Sequence, residues 1–140
     1  MNKKENKTKI INHIAIAVPN LIKAREIWKN ALDCDVSEVI ELRDHGVKTV
    51  FVTFSNIKIE LLEPLGEKSP IEKFLKKNPK GGLHHVCCEV SNLKKAKSRV
   101  LENGVRILGD RKIKTGAHGK PIMFLNPSDF SGTLIELEEV

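Results

Sequence analysis

A chain of 140 residues with 40% hydrophobic and 30% charged side chains is long enough for one self-supporting domain and ordinary for a globular protein. Aromatic residues make up 4%, with no Tyr, which argues against a base-stacking nucleic-acid surface, and no apolar run approaches the length of a membrane span. The net charge of +6 is uneven: residues 1–9 hold four Lys and one Glu, so half of the excess sits in a stretch expected to be a disordered basic tail. Lys73, Lys76, Lys77 and Lys80 make either a solvated helix face or an attraction for a phosphate-bearing anion.

The basic N-terminal stretch has no apolar segment behind it, so it is no secretory signal. It has Asn and Lys but no Arg, which makes a poor mitochondrial presequence; a cytoplasmic protein is expected. Three cysteines, two of them adjacent and none in a C-x-x-C, fit a reducing compartment with thiols used as small apolar fillers. Cys87 and Cys88 should point to opposite faces of a strand.

Along the chain, His13-Ile-Ala-Ile-Ala-Val18 reads as a strand closed by Pro19. Asn20 then caps a helix with Leu21, Ala24, Ile27, Trp28, Ala31 and Leu32 at helical spacing. Strands follow at Val47 to Phe54 and Ile57 to Leu62. Ser69-Pro70-Ile71-Glu72 is a capping box with Pro at the first helical position, starting a short helix to about Lys77 that Asn78-Pro79-Lys80-Gly81-Gly82 breaks. His85 to Val90 is the next strand. Asn92 caps a helix with Leu93, Ala96, Val100 and Leu101, ended by Gly104, and Ile122 to Leu125 and Thr133 to Leu137 are strands.

The chain repeats itself. His13/His85, Val18/Val90, Asn20/Asn92, Leu21/Leu93, Lys23/Lys95 and Ala24/Ala96 share an offset of 72, and Ile59-Glu60-Leu61 returns as Ile135-Glu136-Leu137. Each half reads as a βαβββ module, 11–66 and 83–139, joined by a connector helix at 69–82 within one domain spanning 10–140. Gly116-Ala-His118-Gly-Lys120-Pro121 is expected to lack an equivalent in the first half. It is either a turn before a strand or a loop where glycines let backbone approach a ligand, with His118 or Lys120 holding a carboxylate.

Each module opens with a His at a strand entrance and closes with a Glu inside an apolar strand. Singly, such a His is more often a satisfied or exposed histidine than a ligand, and such a Glu is usually the outward residue of a half-buried strand. Duplicated, and brought together by pseudo-twofold packing, His13, His85, Glu60 and Glu136 would converge on one divalent cation. The set is borderline-hard and suits Co²⁺, Mn²⁺, Ni²⁺, Zn²⁺ or Fe²⁺.

At these residues the sequence resembles the vicinal oxygen chelate superfamily, which includes glyoxalase I. More closely it is similar to the methylmalonyl-CoA epimerases, through HIAIAVPNLIKAREIWKN, ELLEPLGEKSPIEKFL and GAHGKPIMFLNPSDF. The resemblance covers Ile11 to Glu138. It implies an α+β fold of two tandem βαβββ modules forming an open cup-shaped mixed β-sheet with helices outside. It also implies a homodimer, a divalent metal with Co²⁺ first, and His13, Glu60, His85 and Glu136 as its ligands. The reaction implied is epimerisation of (R)- and (S)-methylmalonyl-CoA at C2, with Glu60 and Glu136 as proton carriers and His118 and Lys120 as substrate-binding residues. Relatives similar to this sequence carry Gln in place of Glu60 and a carboxylate near Thr49, so a second proton carrier falls here to Glu60. A glyoxalase I-like lyase or isomerase, or a ligand-binding member without catalysis, is the alternative.

Overall fold

The computed structural model describes residues 7–140; positions 1–6 of the expected basic tail lie outside the described residues. The chain divides into two units, His13–His84 and residues 7–12 with His85–Val140, and each carries one βαβββ module.

In the first unit, β1 (Ile11–Ala17) alternates between two faces, as a strand with apolar neighbours on both sides must. Pro19 stops it, and the Asn20 side chain accepts a hydrogen bond from the Lys23 N–H at 3.0 Å to start α1 (Leu21–Asn30). Two short pieces, β2 (Asp35–Val36) and β3 (Ile40–Leu42), precede β4 (Val47–Thr53) and β5 (Lys58–Pro64). β5 lies parallel to β1 and antiparallel to β4, and β2 and β3 both pair antiparallel with β4. The longer strands were legible from alternation; β2 and β3 are too short to show a period.

Register gives this sheet two different faces. Val18, Val50, Val52, Ile59 and Leu61 pack beneath Leu21, Ala24 and Trp28 of α1. The other face carries His13, Ala15, Ala17, Thr49, Phe51, Glu60 and Leu62, placed together by the pairs Ala15↔Glu60, Phe51↔Glu60 and Thr49↔Leu62. One end of that face, at Ala15, Ala17, Val47 and Leu62, is covered by Ile71, Phe74 and Leu75 of α2 (Pro70–Lys77). The Ser69 hydroxyl accepts from the Ile71 N–H at 3.3 Å to begin that helix. After α2 the backbone closes on β1: Gly81 has φ +88°, and a Cβ there would stand 2.4 Å from the Ala17 carbonyl oxygen, so only glycine fits.

The second unit follows the same plan. From β6 (Gly82–Val90) the chain passes to α3 (Leu93–Glu102), capped by Asn92, whose side chain accepts from the Lys95 N–H at 2.9 Å. β7 (Lys114–Thr115), β8 (Pro121–Leu125) and β9 (Leu134–Glu139) complete it; β9 is parallel to β6, and β8 is antiparallel to both β9 and β7. Leu93, Ala96 and Val100 cover Val90, Met123, Leu125 and Leu137. The repeat extends to the helix starts. The Leu21 N–H donates to the Glu63 carboxylate at 3.2 Å and the Leu93 N–H to Glu139 at 2.8 Å, a carboxylate at the positive end of each helix.

Two expectations are corrected. The Gly116–Pro121 turn does have a first-half counterpart: His45-Gly46 precedes β4 with Gly46 at φ +67°, as His118-Gly119 precedes β8 with Gly119 at φ +72°. The offset here is 73, one more than in the first strands, which hid the match. Cys88 is an apolar filler on the α3 side, but Cys87 is fully buried on the opposite face among polar residues. All three cysteines are free thiols. Among the described residues no helix is long and apolar enough to cross a membrane.

Candidate active site

On the face of the first module away from α1, β1 presents His13 and β5 presents Glu60, both nearly inaccessible. His13 Nε2 stands 3.7 Å from Glu60 Oε1. Phe51, opposite Glu60 in the ladder, meets the imidazole edge-on with ring centroids 6.4 Å apart, and Lys58 lies over that phenyl ring at 5.6 Å. Thr49 is fully buried on this face, and its hydroxyl has no hydrogen-bond partner among the described residues.

The second module builds the same pair. His85 Nε2 stands 3.6 Å from Glu136 Oε1, both are buried, and Phe124 meets His85 edge-on at 5.6 Å. Phe124 lies opposite Glu136 as Phe51 lies opposite Glu60. Beside this pair the module carries polar groups the first one lacks. Cys87 faces Glu136; burial first, then the charge of Glu136 and a hydrogen bond to it, push the thiol far above its ordinary range. One strand period beyond Glu136, Glu138 is 2% exposed, and its Oε2 lies 3.0 Å from His118 Nδ1.

The structure therefore brings His13 to Glu60 and His85 to Glu136, as two like pairs, and sets His118 against Glu138. Lys120 is exposed at the same turn, where its carbonyl accepts from the Gly116 N–H at 2.8 Å. Sequence reasoning missed Glu138, Cys87, Lys58 and the phenylalanines. The period-2 spacing of Glu136 and Glu138 on one strand was the available signal for the first of these.

Each His–Glu separation exceeds a hydrogen bond yet is short enough for one ion at about 2.0–2.2 Å from both atoms. Neutral imidazole nitrogen and carboxylate oxygen are the donors a borderline divalent cation takes. Both half-sites thus fit a divalent metal.

Comparison with known proteins agrees. The family model described as Glyoxalase/Bleomycin resistance protein/Dioxygenase superfamily matches residues 12–124. An ethylmalonyl-CoA/methylmalonyl-CoA epimerase of Cereibacter sphaeroides is 52% identical over 93% of this chain and 97% of its own length. The mitochondrial methylmalonyl-CoA epimerase of Dictyostelium discoideum is 54% identical over 92% of this chain and 77% of its own. A solved methylmalonyl-CoA epimerase in complex with methylmalonyl-CoA and NH4+ superposes with a TM-score of 0.84 at 29% identity, covering 95% of both chains. The chain belongs to the methylmalonyl-CoA epimerase family of that superfamily, and its α+β fold is the vicinal oxygen chelate fold.

Proposed function

We propose that this chain interconverts (R)- and (S)-methylmalonyl-CoA by removing and returning the proton at C2, with His13, Glu60, His85 and Glu136 holding one divalent ion. The observation that carries the reading is the duplicated His–Glu pair, in a chain 52% identical to a named epimerase over nearly its whole length. When bound, the ion supplies Lewis-acid stabilisation of the charge that develops as the proton leaves, worth several kcal/mol. Co²⁺ stands first, and Mn²⁺, Ni²⁺, Zn²⁺ and Fe²⁺ share the donor preference.

The chain's own residues divide the remaining work. Glu60 and Glu136 are the proton carriers, one taking the C2 proton and the other returning one; a reaction that must invert a centre needs two such groups. The edge-on Phe51 and Phe124 fix the imidazole planes and keep water from them. His118 and Lys120 hold the substrate carboxylate. A homodimer in the cytoplasm, a reducing setting that suits three free thiols, completes the reading.

The test is exchange. Metal-loaded protein in deuterium oxide should place deuterium at C2 of methylmalonyl-CoA and racemise it, while turning over no glutathione hemithioacetal. No uptake at C2 overturns the proposal. Glu60→Gln then separates two roles: metal retained with exchange lost marks a base, metal lost marks a ligand, and retention of both removes Glu60 from the site.

A further inference from the structure

The first module buries a hydroxyl that no group among the described residues answers. Thr49 is fully inaccessible, and its Oγ1 has no hydrogen-bond partner among those residues. Its neighbours across the ladder, Ile40 on β3 and Leu62 on β5, are hydrocarbon. So are Val47 and Phe51, which flank it on the same face of β4. Burying a hydroxyl without a partner costs free energy, whereas valine would fill nearly the same space without that cost. The strand uses valine at 47, 50 and 52, so packing gives no reason for an oxygen at 49.

The place of that oxygen supplies one. Along β4 this face passes from Val47, seated against α2 with Leu62, through Thr49 to Phe51, which lies opposite Glu60. Thr49 is therefore the diagonal neighbour of Glu60 across the β4–β5 ladder, at a separation of about 7–8 Å. Glu60 turns towards His13, 3.7 Å away, and one small group between the strands can touch both Glu60 and Thr49. An acyl group whose C2 stands at Glu60 carries its thioester oxygen and its free carboxylate oxygens two bonds from that carbon, within reach of Thr49. Glu60 is itself 4% exposed, so whatever admits the acyl group to Glu60 admits it to the neighbouring hydroxyl.

We propose that Thr49 is a substrate-binding residue whose hydroxyl donates to an oxygen of the acyl group beside C2, so that its hydrogen bond is made only in the complex. The acceptor is a carbonyl or carboxylate oxygen, and the thioester and the free carboxylate are its two sources. This rests on the reading of the chain as a methylmalonyl-CoA epimerase with Glu60 at the reacting carbon. A polar group unpaired in the free protein weakens the fold and strengthens the binding of a ligand that pairs it. Removing the hydroxyl should therefore move stability and affinity in opposite directions.

The experiment compares the wild type with Thr49→Val, which keeps the shape and loses the oxygen, and Thr49→Ser, which keeps the oxygen, all as the metal-loaded full chain. Thr49→Val should melt above the wild type with its metal content unchanged, while KM for methylmalonyl-CoA rises about tenfold and kcat changes less. Thr49→Ser should keep most of the affinity although it melts lower for want of a buried methyl group. Malonyl-CoA and propionyl-CoA, used as competitive inhibitors, then identify the oxygen. Weaker binding of both to Thr49→Val assigns the thioester carbonyl, and weaker binding of malonyl-CoA alone assigns the free carboxylate. Unchanged affinity for both overturns the proposal. So does a Tm of Thr49→Val at or below the wild-type value, since the hydroxyl would then have a partner, such as a held water, before any substrate arrives. Loss of metal in Thr49→Val also overturns it, by making the residue a support of the ion. A wild type that exchanges no C2 proton overturns the epimerase reading and this one with it; an active wild type matched by Thr49→Val in KM and inhibitor affinity overturns this one alone.

Discussion

The two modules share a skeleton and differ on one face. Both set a histidine on the first strand, a glutamate on the last and a phenylalanine opposite the glutamate, with the imidazole edge-on to the ring. Around that common set the first module places Ala15, Ala17 and Leu62 where the second places Cys87, Glu89 and Glu138, and Lys58 where the second places Leu134. The apolar residues of the first are covered by the connector helix through Ile71, Phe74 and Leu75. The polar residues of the second answer one another, Cys87 with Glu136 and Glu138 with His118. Duplication supplied two equal His–Glu pairs; divergence made one flank a hydrophobic seat for a helix and the other a polar surface.

The largest effect should come from breaking what the modules share. Glu136→Ala removes a carboxylate from a pair 3.6 Å across, and with it the metal donor and proton carrier that the proposed function assigns to this residue. Loss of several kcal/mol of stabilisation corresponds to a fall in kcat/KM of about a thousandfold or more. Elemental analysis of the purified variant should show the metal largely gone while circular dichroism is unchanged. Full activity with full metal content would show that the second pair does no chemistry.

Next comes a substitution that forces one module to imitate the other. Leu62→Glu places in the first module the acid that Glu138 provides in the second. Leu62 is 4% exposed against Ala15, Ala17, Val47 and Ile71. An uncompensated buried carboxylate there should destabilise the fold by about 3–5 kcal/mol, read as a lower urea midpoint at pH 7. Part of the loss should return at low pH, where the carboxyl is protonated. A midpoint near wild type would mean that α2 lifts away easily and is no fixed cover.

How much of this could be read without coordinates follows from where the repeat is strict. The strand–cap–helix starts at His13 and His85 share one offset, carry Asn20 and Asn92 as caps, and were legible from residue type and spacing. The Glu60 and Glu136 strands were legible from the repeated Ile-Glu-Leu. Past the helices the offset drifts: His45-Gly46 matches His118-Gly119 at 73, and Glu60 matches Glu136 at 76. Phe51 precedes Glu60 by nine residues but Phe124 precedes Glu136 by twelve, because the second module inserts the turn Pro127–Phe130. Glu138 stayed hidden because an outward glutamate on an edge of alternating residues looks the same in sequence as a buried one, and only the fold over it by His118 decides. Cys87 was hidden for a related reason: a cysteine's neighbours, Glu136 here, determine whether it is filler or donor.

The smallest effect lies in that inserted turn. Asp129 accepts from the Arg106 backbone N–H at 2.9 Å and from its guanidinium at 3.1 and 3.2 Å, whereas the shorter first-module turn closes on the backbone bond from the Phe54 N–H to the Ile57 carbonyl. The Arg106 side chain, then its backbone N–H, holds the Asp129 carboxyl below the usual carboxylate range. A folded value lower than the unfolded one means stabilisation that is present above the unfolded pKa, about 3.9, and is lost as pH falls through the folded value. Asp129→Asn should therefore lower Tm slightly at pH 7, by an amount that shrinks in high salt because the pair is exposed. The gap to wild type should begin to shrink as pH falls past about 4 and should vanish once the folded wild-type carboxyl has taken up its proton at lower pH. Thermal melts of both proteins between pH 7 and pH 3 measure it directly. A gap that persists undiminished in acid would mean that Asp129 works through its shape at the turn and not through its charge, and the one ion pair peculiar to the second module's turn would then count for no more than the bare backbone bond that serves the first.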